Sequence, residues 1–131
     1  MARSRKTVVP VPGIADSASR GYVQCIRAGD LVFVAGQTGV DENYRAVSLE
    51  FGPQMRQAMR NLQLALEAAG VSLRDVVAMT GFITDMRYAN DFRAIRKEIM
   101  GGELTSALIG VESLAQPVLL VEIQAIAVGP D

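Results

Sequence analysis

The sequence predicts an α+β fold, a sheet built in the order ββ-α-β-α-ββ with two helices on one face. Three observations carry this. Two segments repeat apolar residues at helical spacing, five short runs are rich in β-branched and aromatic residues, and glycine, proline and Asp/Asn clusters separate them. A chain of 131 residues, half of them apolar, suits one domain that hides roughly two-thirds of the surface of its unfolded chain.

Residues 1–20 hold Pro10, Pro12, Gly13 and a Ser/Ala/Asp cluster and read as a strand-poor arm, with 21–131 as a single domain. Tyr22 to Ile26 and Leu31 to Gln37 flank the turn Ala28-Gly29-Asp30 and predict a hairpin. The first helix has Ser48 as its N-cap, Glu50 in the first turn, Pro53 close to the start and Gly70 at the far end. Phe51, Met55, Ala58, Met59, Leu62, Ala65, Leu66 and Ala69 form its buried stripe. Val76 to Thr84 is a strand. Asn90 to Met100 is the second helix, with Phe92, Ile95 and Ile99 inward and Gly101-Gly102 ending it. Strands over Thr105 to Val111 and Val118 to Val128 complete the sheet. Leu31-Val32-Phe33-Val34-Ala35 and Val118-Leu119-Leu120-Val121 are apolar on both faces, yet two helices can cover only one. The uncovered face predicts a homo-oligomer.

Composition excludes much chemistry. There is no histidine and only one cysteine, so neither a Ser-His-Asp nor a Cys-His pair can form, and the usual Cys/His metal cluster is absent. No metal motif is seen. The lone Cys25 suits a reducing cytoplasm and reads as a small buried hydrophobe. The basic start, Met1 to Lys6, precedes a stretch too short and proline-broken for a signal-peptide core, and no apolar run approaches the roughly 20 residues of a membrane span. A cytoplasmic protein that binds no membrane is expected. A net charge of −1 and a pI near 5.4 argue against nucleic acid as a partner. Gly36-Gln37-Thr38-Gly39 is not a dinucleotide fingerprint.

What remains is carboxylate, arginine, hydroxyl and water chemistry. Alternation along the last strand sets Val118, Leu120, Glu122, Gln124, Ile126 and Val128 on one face. Glu122 thus lies between apolar neighbours, where a carboxylate is costly unless it is paired, hydrogen-bonded or protonated. It is either a functional acid or a structural one held by backbone amides or an arginine at a subunit contact. From Glu98 to Asp131 there is no lysine or arginine. An anion site must therefore take its cation from upstream, with Arg87, Arg93 and Arg96 as candidates, or use backbone amides. Arg96 falls at the edge of the second helix's buried stripe, either reaching a ligand or solvated. Tyr22 opens the hairpin, as a packed aromatic or a ligand contact.

The segments Tyr22-Val23-Gln24, Ala28 to Gln37, the amides Gln54, Gln57 and Asn61, Ala68-Ala69-Gly70, Asp75-Val76-Val77, Thr84-Asp85-Met86 and Val121 to Ala127 resemble the RidA/YjgF family, also called L-PSP endoribonucleases, over about Gly21 to Val128. The resemblance implies a chorismate-mutase-like fold and a homotrimer with a central barrel and small-molecule sites in clefts between subunits. It also implies cofactor-free hydrolysis of reactive enamines and imines to a carbonyl compound and ammonia. It makes Glu122 the catalytic acid that positions water and Tyr22 a substrate-binding residue. The family's carboxylate-clamping arginine does not match: Leu104-Thr105-Ser106-Ala107 puts Ser106 in its place. Ala35 replaces a serine before Gly36-Gln37, and Arg96 stands where an asparagine is usual. Leu104, Ala35, Ala107 and Leu108 then make the implied pocket more apolar than the usual one, and Arg96 could reach across the cleft to supply the missing cation. The implied function is imine hydrolysis with altered substrate preference. The alternatives are a non-catalytic trimer binding a metabolite or a protein and, third, a ribonuclease.

Overall fold

A computed structural model describes residues 5–130. The first part of the basic start, residues 1–4, and residue 131 lie outside the described residues. Six strands form one mixed sheet: β1 (Lys6–Val8), β2 (Cys25–Ala28), β3 (Leu31–Thr38), β4 (Val76–Ile83), β5 (Thr105–Gly110) and β6 (Val121–Val128). Helices α1 (Phe51–Ala68) and α2 (Ala89–Met100) follow β3 and β4. The spatial order is β1-β2-β3-β6-β4-β5, antiparallel throughout except for the parallel pair β4 and β5, which α2 connects.

The mixed α+β architecture with two helices agrees with the sequence, and four boundaries differ for local reasons. The arm is not wholly irregular, since Lys6–Val8 pairs with Ile26 to Ala28 as an edge strand. The hairpin's first strand begins at Cys25 rather than Tyr22, because the Tyr22 carbonyl accepts the Ser17 hydroxyl at 2.7 Å instead of joining the ladder. Helix α1 starts at Phe51 with Glu50 as its N-cap and no capping side chain. The Ser48 hydroxyl accepts the Glu50 N–H at 3.0 Å, in a turn before the helix. Gly70 ends α1 at φ +83, a left-handed conformation that glycine adopts without strain. The last strand begins at Val121 rather than Val118, because a buried side chain takes the preceding backbone. Gln54 donates to the carbonyls of Ser48 and Val118 at 2.9 Å each and accepts the Leu120 N–H at 2.8 Å.

The core lies between the helices and one face of the sheet. Val32, Val34, Met79, Ile83, Val121, Ile123, Ala125 and Ala127 pack there with Met55, Met59, Leu62, Leu66 and Phe92. Gly81 lets α2 approach: a Cβ there would stand 2.3 Å from Cζ of Phe92. The other face is open in the single chain. On it Leu31 is 40% exposed, Phe33 39%, Ile109 44% and Val128 41%. Register confirms the shared face, since Leu31 opposes Val128 and Phe33 opposes Ile126.

One irregularity matters for the site. Val34 opposes Ala125 and Gln37 opposes Ile123, so β3 carries one extra residue at Ala35-Gly36. Beyond the bulge Gln37 points to the helices and is buried, while Thr38 opposes Glu122 on the open face.

Replacing Gln54 by leucine strands the Ser48 and Val118 carbonyls and the Leu120 N–H. Chemical denaturation of Gln54→Leu is expected to show a loss of at least about 2 kcal/mol, as befits several buried backbone groups left unpaired.

Candidate functional site

Glu122 stands in β6 on the open face, flanked by Val121 and Ile123, whose side chains go the other way into the core. Its carboxyl lies against the bulge of β3. A Cβ on Gly36 would be 2.4 Å from Oε2 and 2.8 Å from Cδ of Glu122, so the missing side chain is what makes room for the acid. Burial pushes the Glu122 pKa up from the ordinary glutamate value, and burial is the only cause. Of its two possible roles, the structure gives no hydrogen bond or ion pair from Glu122 to any described residue.

A small cavity of about 60 Å³ opens over this carboxyl, lined among others by Tyr22, Gly36, Asn61, Gln116 and Leu119. It has room for a few water molecules at about 10–15 Å³ each. Its walls are fixed by side-chain amides. Gln37 donates to Gln24 Oε1 at 2.8 Å and to the Ala35 carbonyl at 3.1 Å, which secures the bulge. Gln24 in turn donates to the Ala15 carbonyl at 3.0 Å. Asn61, buried in α1, donates to the carbonyls of Thr38 and Val40 at 3.1 and 3.0 Å, and Gln57 donates to Asn61 Oδ1 at 2.9 Å. Of the amides Gln54, Gln57 and Asn61 named from the sequence, Asn61 lines the pocket and Gln57 holds it, while Gln54 serves the backbone before β6.

Two lining residues were not legible in the sequence. Arg20 ends a short 3₁₀ turn in the arm, Ala18–Arg20, and its guanidinium carbon sits 3.5 Å from the ring centroid of Tyr44. Tyr44 belongs to the loop between β3 and α1 and has φ +60, unusual for a bulky residue. Its hydroxyl is buried with no hydrogen-bond partner. Burial first, and the Tyr22 hydroxyl nearby, push its pKa up to about 12. An aromatic just after Asp41-Glu42-Asn43 was the one available sign, since such turns are usually polar throughout.

The remaining residues named from the sequence fall elsewhere in the single chain. Ala35 lies in the bulge, donating its N–H to the Gln24 carbonyl at 2.8 Å. Arg96 Nη1 donates to the Ser106 hydroxyl at 2.6 Å, its Nε is buried without a partner, and its guanidinium carbon lies 5.7 Å from the Phe92 ring centroid. Ser106 opposes Met79, which opposes Ala125, and both of these side chains face the helices. Leu108 packs on the same side against the core. Arg96, Ser106 and Leu108 therefore form a group on the helix side of the sheet, while Tyr22 and Glu122 share the pocket on the open side. Arg87 is occupied by Asp85 at 2.7 Å, with both groups at the surface. Cys25 is buried, and burial raises its thiol pKa. Among the described residues no three His, Cys, Asp or Glu side chains come together as a metal-ligand group. None of their helices is long and apolar enough to cross a membrane.

Comparison with known proteins converges on one family. Residues 14–129 match the family model described as Endoribonuclease L-PSP. A RutC family protein of Pyrococcus horikoshii is 38% identical over 110 residues, covering 81% of this chain and 85% of the relative. The 2-iminobutanoate/2-iminopropanoate deaminase of Salmonella typhimurium is 36% identical over 81 residues, covering 62% of this chain and 61% of that protein. The crystal structure of YyfA, a Rid-family protein of Yersinia pestis, superposes with a TM-score of 0.87 at 26% identity, covering 95% of this chain and 99% of that one. With the sheet order, the bulge and the Glu122 pocket already in place, these likenesses show that the chain belongs to the RidA/YjgF family of L-PSP proteins.

Proposed function

We propose that the protein hydrolyses small reactive imines, and the enamines in equilibrium with them, to a carbonyl compound and ammonia. The observation that carries this reading is the desolvated Glu122 carboxyl, unpaired and facing a water-sized cavity. The deaminase name of the Salmonella relative supports it. Glu122 as carboxylate accepts a hydrogen bond from a water held over the imine carbon. As the new C–O bond forms, the water's proton passes to Glu122 while the nitrogen, receiving the C=N π pair, takes a proton from water, and the resulting hydroxide is neutralised by the Glu122 proton, giving a neutral carbinolamine. The amino nitrogen then takes a second proton through water and leaves as ammonia as the C–N bond breaks, while the carbinolamine hydroxyl gives its proton back to water and becomes the carbonyl. One imine and one water thus yield one carbonyl compound and one ammonia. A carboxylate raised toward neutrality by burial suits such proton exchange better than an ordinary surface glutamate.

In this reading the active form is a homotrimer whose small-molecule clefts lie between subunits. The exposed Leu31, Phe33, Ile109 and Val128 on the open face support burial against further copies. Arg96 then meets a ligand only from the helix side of its own sheet, beside Ser106, which stands where the arginine of relatives is expected. Buried, unpaired Cys25 is in keeping with a reducing cytoplasm. The name of the family model notwithstanding, a net charge of −1 gives little support to an RNA substrate. The second reading, a trimer that binds a metabolite without turning it over, is favoured by the serine at position 106.

Activity, stability and assembly each test the proposal. When 2-aminoacrylate is generated from serine by a dehydratase, the protein is expected to speed ammonia release. Glu122→Gln is expected to lower that rate at least about a hundredfold, and unchanged turnover in this variant would refute the role of the acid. Gly36→Ala adds a methyl against the flexible end of Glu122 rather than against backbone. It is expected to cost little stability while removing most activity. For stability the sign is opposite to that for activity. A carboxyl whose pKa is raised on folding stabilises the fold fully only below the unfolded value and penalises it as pH rises through the raised one. Glu122→Gln is therefore expected to melt higher than the parent at neutral pH, with the gap closing in acid. Finally, sedimentation equilibrium is expected to give three times the chain mass, and a monomer at micromolar concentration would contradict the proposed assembly.

A further inference from the structure

Arg20 has a place but no partner. Among the described residues its side chain forms no hydrogen bond and no ion pair, although it lies at a pocket that also holds a carboxylate. What it does touch is the face of Tyr44, at 3.5 Å. A guanidinium stacked on a ring uses its face there and keeps its N–H groups in the plane, pointing outward and free to grip a planar anion. Tyr44 is an equally uncommon residue. Its left-handed φ is held by the loop around it: Gln116 donates to its carbonyl at 2.8 Å, its N–H donates to the Asp41 carbonyl at 3.1 Å, and the Asp41 carboxylate accepts the flanking N–H groups of Asn43 and Arg45 at 2.8 and 3.1 Å. Strained backbone and buried unpaired polar atoms are both rare, and they coincide most often where a ligand is bound. Here the strained residue and the orphaned hydroxyl are the same tyrosine, with a stacked, unpaired cation on its ring.

We propose that Arg20 and Tyr44 form an anion-recognition corner of the Glu122 pocket, so that its ligands are small carboxylates gripped by the Arg20 guanidinium and the Tyr44 hydroxyl. The corner deepens the imine-hydrolysis reading and rests on it for the fate of the ligand, but not for its binding. It places a cation and the acid at the same pocket of one chain, whereas Arg96 lies on the far side of the sheet. A phenol held protonated well above neutral pH is a lasting donor, and the cavity's small size favours a compact carboxylate. Asp16 is the nearby acid that acts on Tyr44 against Arg20. Its Oδ1 accepts the Ala18 N–H at 3.0 Å, and among the described residues it forms no ion pair with Arg20.

The test is a calorimetric or NMR titration of the full chain with 2-oxobutanoate and with its uncharged amide. The parent is expected to bind the carboxylate in preference to the amide. Arg20→Ala is expected to weaken carboxylate binding at least about tenfold while leaving the amide within about twofold. Tyr44→Phe, which keeps the stacking platform, is expected to weaken it about threefold. Arg20→Lys, charged but not planar, should fall between the parent and Arg20→Ala. Equal affinity for acid and amide, unchanged binding by Arg20→Ala, or no detectable carboxylate binding by the parent at millimolar concentration would each overturn the proposal. Because the readout is binding, it can succeed where turnover is absent, and its failure in a protein that still releases ammonia would leave the imine-hydrolysis reading standing.

Discussion

Two helices cannot clothe both faces of a six-stranded sheet, and the rest of the structure is arranged around that shortfall. The covered face takes the apolar partners of α1 and α2 and closes tightly, with Gly81 bare so that Phe92 can sit on it. The acid of β6, Glu122, is left for the other face, opposite Thr38 and Phe82. Because side chains alternate along a strand, the same register that buries Val121 and Ile123 turns Glu122 outward. The bulge at Ala35-Gly36 then lets β3 keep Val34 and Gln37 buried while giving the carboxyl a place without a side chain above it.

The pocket is built by frame and filling. Its frame is a set of amides bonded to loop backbone and to one another. Such bonds fix loops better than apolar contacts because an unpaired buried amide costs more than a misplaced methyl. The filling is three groups that the frame leaves unsatisfied: a desolvated carboxyl, a tyrosine hydroxyl without a partner, and an arginine that touches only an aromatic face. Within an otherwise well-paired structure, that concentration of unmet valence is what marks the place for a ligand.

Periodicity made most of the architecture legible from the sequence. The helical stripe from Phe51 to Leu66, the glycine at position 70 and the alternation around Glu122 all reported their own environments. The edge strand at Lys6–Val8 was not legible, since three exposed residues carry no alternation to read. The start of β6 was misplaced because the backbone of Val118 and Leu120 is claimed by a side chain 64 and 66 residues away, a contact no local pattern records. The site was legible only in part. Tyr22 and Glu122 do line one pocket, but Arg20 and Tyr44 join them through loops, where position depends on hydrogen bonds distant in sequence. Arg96 and Ser106 do meet, on the side of the sheet facing the helices, because a shift of one residue in β5 decides which face a side chain takes.

The most direct test concerns the state of the acid itself. With the glutamate carboxyl carbons labelled and Glu122→Gln used to assign the resonance, an NMR titration of the protein reads the ionisation of Glu122. The account predicts a midpoint above the ordinary glutamate range. A midpoint at or below the ordinary value would contradict it, since the carboxyl would then be paired or well solvated and the pocket would hold no group poised to exchange a proton with water.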